Sequence, residues 1–245
     1  MDEVDEAAVP GANGVSPFVR PASSAGAQRF ADLSVELHDS DGVEETVDAV
    51  VQFALQALNC SHAGVALMTR GRTEVPAVTD AMVAEIYQFQ MRTGIGPLAE
   101  VMRRRSKLLV RDTATEQRWP DWTGKVLSLG VRSVLDVPLT TSAANVGVLG
   151  LYSTEPDAFT IDDEAIADIL ARHASVALAN ARHDESMARA IDARKLVGQA
   201  MGILMERYAI DGDQAFAILK RYSQDTNTKL RDVAQTLIDT RSLPR

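Results

Sequence analysis

The chain has 245 residues, a net charge of −9 and 46% hydrophobic residues, the balance of a folded chain, with room for one large domain or two modest ones. It has no run near the roughly 18–20 apolar residues that a membrane-spanning helix needs, and its acidic start, MDEVDEAAVPGANG, lacks the order of a secretory signal. The single cysteine, Cys60, excludes an internal disulfide, so a soluble protein of the reducing cytoplasm is expected.

Residues 1–27 are rich in Ala, Gly, Pro, Ser and acids, and are expected to form a disordered tail. Phe30, Leu33, Val35 and Leu37 suggest a short helix, ended at 40–42. Val43, Val47, Val50, Val51, Ala54, Leu55 and Leu58 then recur at helical spacing. Residues 62–69 (HAGVALMT) read as a strand, with Gly71 as the hairpin turn into a second strand near 73–79. Met82, Ile86 and Phe89 predict a helix closed by Gly94 and Gly96. Residues 98–105 predict a short helix with a basic end, 107–110 a strand and 117–129 a helix. The clearest strands are 131–139 and 146–152, with a turn at 142–145.

Thr160 can cap a helix whose first turn holds Asp162, Asp163 and Glu164. No Gly or Pro follows until Gly198, so one very long helix, or two nearly continuous ones, is expected. A seam through Ile166, Leu170, His173, Ala177, Asn180, Asp184, Met187 and Ile191 is apolar at its ends and small or polar in its middle, which suits a thinly encoded coiled-coil dimer.

Beyond it, Leu196, Ala200, Ile203 and Leu204 form one apolar stripe and Val197, Met201, Met205 and Tyr208 another. Asp211 or Asp213 can cap a second helix carrying Ala215, Phe216, Leu219 and Tyr222. Asn227 or Thr228 can cap a third carrying Leu230, Val233, Ala234, Leu237 and Ile238. These make a three-helix bundle, with Phe216 in its core and Tyr208 and Tyr222 read as packing residues before stacking ones. Charge divides unevenly: Asp184 to the end holds 10 basic and 9 acidic residues, and the preceding 183 hold 15 and 25. The balanced part leaves a polyanionic partner open.

The stretch RKLVGQAMGILMERYAIDGDQAFAILKRYSQDTNTKLRDVAQTLI resembles an ANTAR domain, an RNA-binding module of bacterial antitermination regulators. The match is carried by Arg194, Gln199, Ala200, Gly202, Leu204, Met205, Ala215, Phe216, Leu219, Ser223, Asn227, Leu230, Val233 and Ala234. Where the family often has Lys, this chain has Met201. The resemblance implies binding to RNA hairpin loops, with Arg194, Lys195, Gln199, Gly202, Arg207, Lys220, Arg221, Asn227, Lys229 and Arg231 as candidate contacts.

The body resembles a GAF domain through Gly94, Gly96, Pro97, Asp112, Arg118, Trp119, Pro120, Gly130, Val131, Arg132, Ser133, Val137, Pro138, Leu139, Gly147 and Gly150. The two resemblances imply an α+β GAF-like sensory domain (an antiparallel sheet with flanking helices) at 28–180. An all-α three-helix ANTAR bundle follows at 181–242, on a long connecting helix. They imply an antitermination regulator of actinobacterial type that is a homodimer, needs no cofactor, and takes a small-molecule or protein signal at a pocket rimmed by Gly94, Gly96 and Trp119.

Other readings are weaker. Residues 94–99 fit the spacing of a dinucleotide fingerprint, but they follow a helical pattern instead of a strand. Cys60 reads as a buried structural cysteine. His38, His62, His173 and His183 lack metal-ligand spacing and imply no carboxylate partner. Trp119 and Trp122 read as packing residues. With no triad, metal cluster or paired acid set, an enzyme is not expected. Two rivals remain: a DNA-binding helix-turn-helix regulator, and a protein-interaction sensor whose tail only dimerises.

Overall fold

The structure, a computed structural model, describes residues 24–69, 72–142 and 144–242. The chain begins with α1 (Ser24–Asp39) and α2 (Val43–Ala57), then the strands β1 (His62–Thr69) and β2 (Arg72–Val78). Next come α3 (Ala81–Thr93), α4 (Pro97–Arg104), β3 (Leu108–Val110), α5 (Pro120–Ser128), β4 (Ser133–Thr140) and β5 (Asn145–Ser153). Three helices end it: α6 (Ile161–Tyr208), α7 (Gly212–Asp225) and α8 (Leu230–Thr240). Most of the expected tail lies outside the described residues, but α1 already begins at Ser24, before the expected start of order at 28. The expected turn at Gly71 also lies outside them.

The strands pair antiparallel in the order β2-β1-β5-β4-β3. Side chains alternate across a strand, and here both faces are covered. Leu135, Val137, Leu139, Leu149 and Leu151 bury against Val47, Val50 and Val51 of α2 and Leu170, Ala174 and Leu178 of α6. On the other face, Val134, Val148 and Tyr152 bury with Val83, Ile86 and Tyr87 of α3, Leu98 and Val101 of α4, and Trp122 and Val126 of α5. Helix α5 starts at Pro120, not 117, because proline suits the first helical position, where its missing N–H costs nothing.

Thr160 and Asp163 form a capping box at the start of α6. The helix is one unbroken piece of 48 residues, about 72 Å at 1.5 Å per residue, and it runs through both Gly198 and Gly202. Its first part belongs to the sheet domain. Its last part buries Ala200 and Leu204 with Ala215, Leu219, Val233, Ala234 and Leu237 of the bundle. The predicted seam is therefore corrected: Leu170 is fully buried and Ile166 and Ala177 pack against the same core, so they already have partners inside the protomer. The exposed stripe instead runs through Ile169, His173, Val176, Asn180, His183, Met187 and Ile191.

Two side chains fasten α6 where it leaves the sheet. Arg182 donates to the Met68 carbonyl (3.0 Å) and to Thr69 Oγ1 (3.3 Å) at the end of β1. Glu185 accepts from the Val43 N–H at 3.0 Å. That bond supplies the cap that Gly42, having no side chain, cannot give to α2.

In the bundle, Asp211 caps α7 in a box with Gln214. Helix α8 departs from expectation. Its cap position is Lys229, with no side-chain cap, while Asn227 takes a left-handed φ of 51° in the preceding turn. Phe216 is also corrected: it is 40% exposed on α7. No helix among the described residues is long and apolar enough to cross a membrane.

Candidate functional sites

All the residues predicted to contact RNA are exposed, and the structure distributes them over three places. Lys195, Gln199 and Gly202 recur along one side of α6, together with Glu206, at spacings of four, three and four residues. Gln199, Gly202 and Arg207 line a surface groove of about 540 Å³ with Glu206 of α6, Ile238 of α8 and Arg241 just after it. Lys220 and Arg221 stand on α7. Asn227, Lys229 and Arg231 occupy the turn into α8 and its first residues.

The cations differ in freedom. Arg207 donates to the Arg241 carbonyl at 2.6 Å, satisfying an orphan oxygen at the end of α8, so it also holds two helices together. Arg221 pairs with Asp225 at 3.5 Å and Arg231 with Asp232 at 3.2 Å. Among the described residues, Arg194, Lys195, Lys220 and Lys229 have no ion pair. Met201, where the resemblance implies a Lys, is half-buried against the bundle core and turned inward. Tyr222 packs as expected, whereas Tyr208 is 56% exposed.

The glycines of α6 were partly missed. A Cβ at Gly198 or at Gly202 would meet nothing within 4 Å, so packing inside the protomer does not demand either one. Glycine within a helix costs about 1 kcal/mol relative to alanine. Their effect is to bare the helix backbone at the surface beside Lys195 and Gln199.

A second site lies inside the domain. Gly64 of β1 pairs with Gly150 of β5, leaving a depression in the sheet under α3. The Tyr87 ring fills it, its hydroxyl donating to the Gly64 carbonyl at 2.8 Å. A Cβ on Gly150 would stand 2.5 Å from the Tyr87 hydroxyl, 2.7 Å from that of Tyr152 and 3.0 Å from Asp136 Oδ1. Three polar oxygens thus converge over one glycine. Asp136 is fully buried, and neither carboxylate oxygen has a hydrogen-bond partner. Trp122 Nε1 and Gln90 Nε2 are likewise buried without partners, while the Tyr152 hydroxyl lies against that of Tyr87.

Burial pushes the Asp136 carboxyl up to about 7. It also raises Tyr87 and Tyr152, with the Asp136 charge adding to both and the Tyr87 charge to Tyr152. A carboxyl raised in the folded state contributes stability below the ordinary aspartate range and loses it as pH rises through about 7.

The predicted rim residues sit in the layer covering this face. Gly94 ends α3 with φ 69°. Gly96 leaves room for the Gln90 side chain, whose Oε1 accepts from the Leu98 N–H at 2.9 Å at the start of α4. Trp119 is half-buried, its ring 5.8 Å from that of the fully buried Trp122, with Arg118 stacked over it at 4.4 Å. Gly94 and Gly96 thus join two helices, and the dinucleotide reading fails on context. The sequence reading missed Asp136, Tyr87 and Tyr152. Its available signal was an aspartate inside the apolar run VLDVPL.

Burial pushes the half-buried Cys60 thiol up to about 12, and its Sγ lies 3.5 Å from the Ala54 carbonyl. That is the setting of a structural cysteine. One histidine does have a carboxylate partner, contrary to expectation: His62 Nδ1 contacts Asp80. Among the described residues, no group of His, Cys, Asp and Glu could hold a metal ion.

Comparison with known families finds a GAF domain over residues 40–179 and an ANTAR domain over 185–238. No curated protein matches the chain. Among solved structures, a GAF domain from an Acinetobacter phosphoenolpyruvate-protein phosphotransferase is 16% identical at TM-score 0.53, covering 67% of this chain and 99% of that one. The corresponding GAF domain from Coxiella burnetii is 18% identical at TM-score 0.52, covering 66% and 96%. The Stigmatella aurantiaca phytochrome photosensory core module is 12% identical at TM-score 0.58, covering 81% of this chain and 44% of that one. At such identities the likeness is one of fold.

Proposed function

Because the chain belongs to the GAF domain family and carries an ANTAR domain after it, we propose that it is a signal-responsive RNA-binding antitermination regulator and not an enzyme. The observation that carries this reading is α6: one helix contributes Leu170 and Leu178 to the sensory core and Ala200 and Leu204 to the bundle core. We put the division near 180, a reading supported by family matches over 40–179 and 185–238. The protein acts as a homodimer joined along the exposed stripe of α6, beside a groove of about 800 Å³ lined in part by Leu37, Val176, Asn180 and His183. Each bundle holds one RNA hairpin loop, its phosphates on lysine and arginine and its unpaired bases on polar and aromatic groups. The bound RNA structure excludes a terminator hairpin.

Direct competition between RNA carrying two hairpins and duplex DNA tests the reading. RNA is expected to win, with salt-dependent affinity; preference for duplex DNA would favour a helix-turn-helix regulator, and no binding to either would favour a protein-interaction sensor. Changing Lys195, Lys220 or Lys229 to Ala should weaken binding across RNA sequences and lower the salt slope by about one for each phosphate no longer neutralised. Unchanged affinity in all three variants would refute their assignment.

The bare glycines make a separate expectation. Gly198→Ala and Gly202→Ala should each stabilise the protein by about 1 kcal/mol, while RNA affinity falls because a methyl group intervenes between helix and ligand. Thermal melting and a binding titration on the same samples check both. A stabilised variant with full affinity would remove this face from the interface.

A further inference from the structure

We propose that the sheet face under α3 and α5 binds a small organic cation, a primary amine or amidine on an apolar body, whose N–H groups donate to Asp136 and the Tyr152 hydroxyl. The proposal rests on the sensory reading above and names the chemistry of its signal. Buried polar groups are nearly always hydrogen-bonded, and a buried carboxylate is costly unless paired. Asp136 nevertheless stands fully buried in the interior strand β4 with both oxygens unpartnered, and the nearest hydroxyls converge on the same point.

An anionic ligand would be repelled by the ionised carboxyl, and a neutral acceptor could pair only with its protonated form. A cationic nitrogen satisfies Asp136 directly. The walls are apolar, with Ala66, Val110, Val134 and Val148 in the same cluster, so the cation needs an apolar body. The Gly64–Gly150 depression, now filled by the Tyr87 ring, is the place a ring of similar size fits. Entry of such a body displaces Tyr87 and with it α3.

The test uses the full chain and four probes on one ring: benzylamine, benzamidine, benzyl alcohol and benzoate, at millimolar concentration. The two cations are expected to raise the melting temperature by several degrees, as ligands of the native state do; the alcohol and the acid should not. Asp136→Asn and Tyr152→Phe should abolish the shift. Because one removes a buried, unpartnered carboxyl and the other a single hydroxyl beside Tyr87, neither variant should melt far below the parent. A shift shared by all four probes, a shift with none, or a shift kept in Asp136→Asn overturns the proposal. So does a large loss of stability in both variants, which would make these groups structural. Binding of the cations without any change in RNA affinity would leave this inference standing and refute the sensory reading instead.

Discussion

Replacing Val176, Met187 and Ile191 together with glutamate is expected to turn the proposed dimer into monomers and to weaken binding to two-hairpin RNA by about 100-fold or more. The three side chains are 58%, 52% and 61% exposed on α6, so their replacement leaves the core of the protomer intact. In the dimer they would face their own copies, and like charges placed at a coiled-coil seam repel and are costly to bury. Affinity for a single hairpin should stay the same, because only the tethering of two bundles is removed. Sedimentation gives the oligomeric state, and anisotropy with one- and two-hairpin RNAs gives the affinities. A variant that still sediments as a dimer, or that keeps full affinity for the two-hairpin RNA, would show that this stripe is not the interface. Leu170→Glu is the contrasting case: it introduces a charge into the sheet core and should unfold the domain.

Gly147→Ala should be among the most damaging single changes in the sheet, costing about 3 kcal/mol. Gly147 lies in the central strand β5, paired with Leu67 on one side and Leu139 on the other. A Cβ there would stand 2.1 Å from the Ala66 carbonyl oxygen. That obstacle is backbone, so relief requires β1 to shift away from β5 and its ladder bonds to lengthen. Gly124→Ala is the matched control, since a Cβ at that helical position meets nothing within 4 Å and should add about 1 kcal/mol. Urea midpoints of the two variants should therefore move in opposite directions. Equal midpoints would mean that the strand accommodates the methyl group without parting.

Much of this architecture is legible in the sequence because local periodicity and tertiary burial agree. The stripe from Val43 to Leu58, the paired strands around 131–152, and the Thr160 cap each formed as the pattern required. The length of α6 was legible as well, since nothing breaks it before Gly198. The misses have physical causes. Along the sheet α6 is exposed on one side only, and the predicted seam, which shares His173, Asn180, Met187 and Ile191 with the exposed stripe, took the core neighbours Leu170 and Ala177 in place of Ile169 and Val176. Phe216 shares an apolar stripe with Ala215 and Leu219, yet the helix turns it toward solvent, which its apolar character could not reveal. Asn227 looked like a cap, but its left-handed backbone put it in the turn. The cluster at Asp136 depends on strand register, which brings Gly64 opposite Gly150 from positions far apart in the chain. Spacing within one element does not contain that information.

The unbroken course of α6 also fixes an angle. Arg182, which grips the end of β1, and Ala200, which enters the bundle core, are 18 residues apart, about five full turns. They therefore leave the helix on nearly the same side, and the sensory domain and the bundle stand in phase along one flank. The exposed stripe from Ile169 to Ile191 lies on the opposite flank, with α1 beside it, so a second helix can lie along that stripe. Residue count between the two positions acts as a rotational setting. One inserted residue would swing the bundle by about 100° around the rod, and seven would return it to within about 20° of its original bearing.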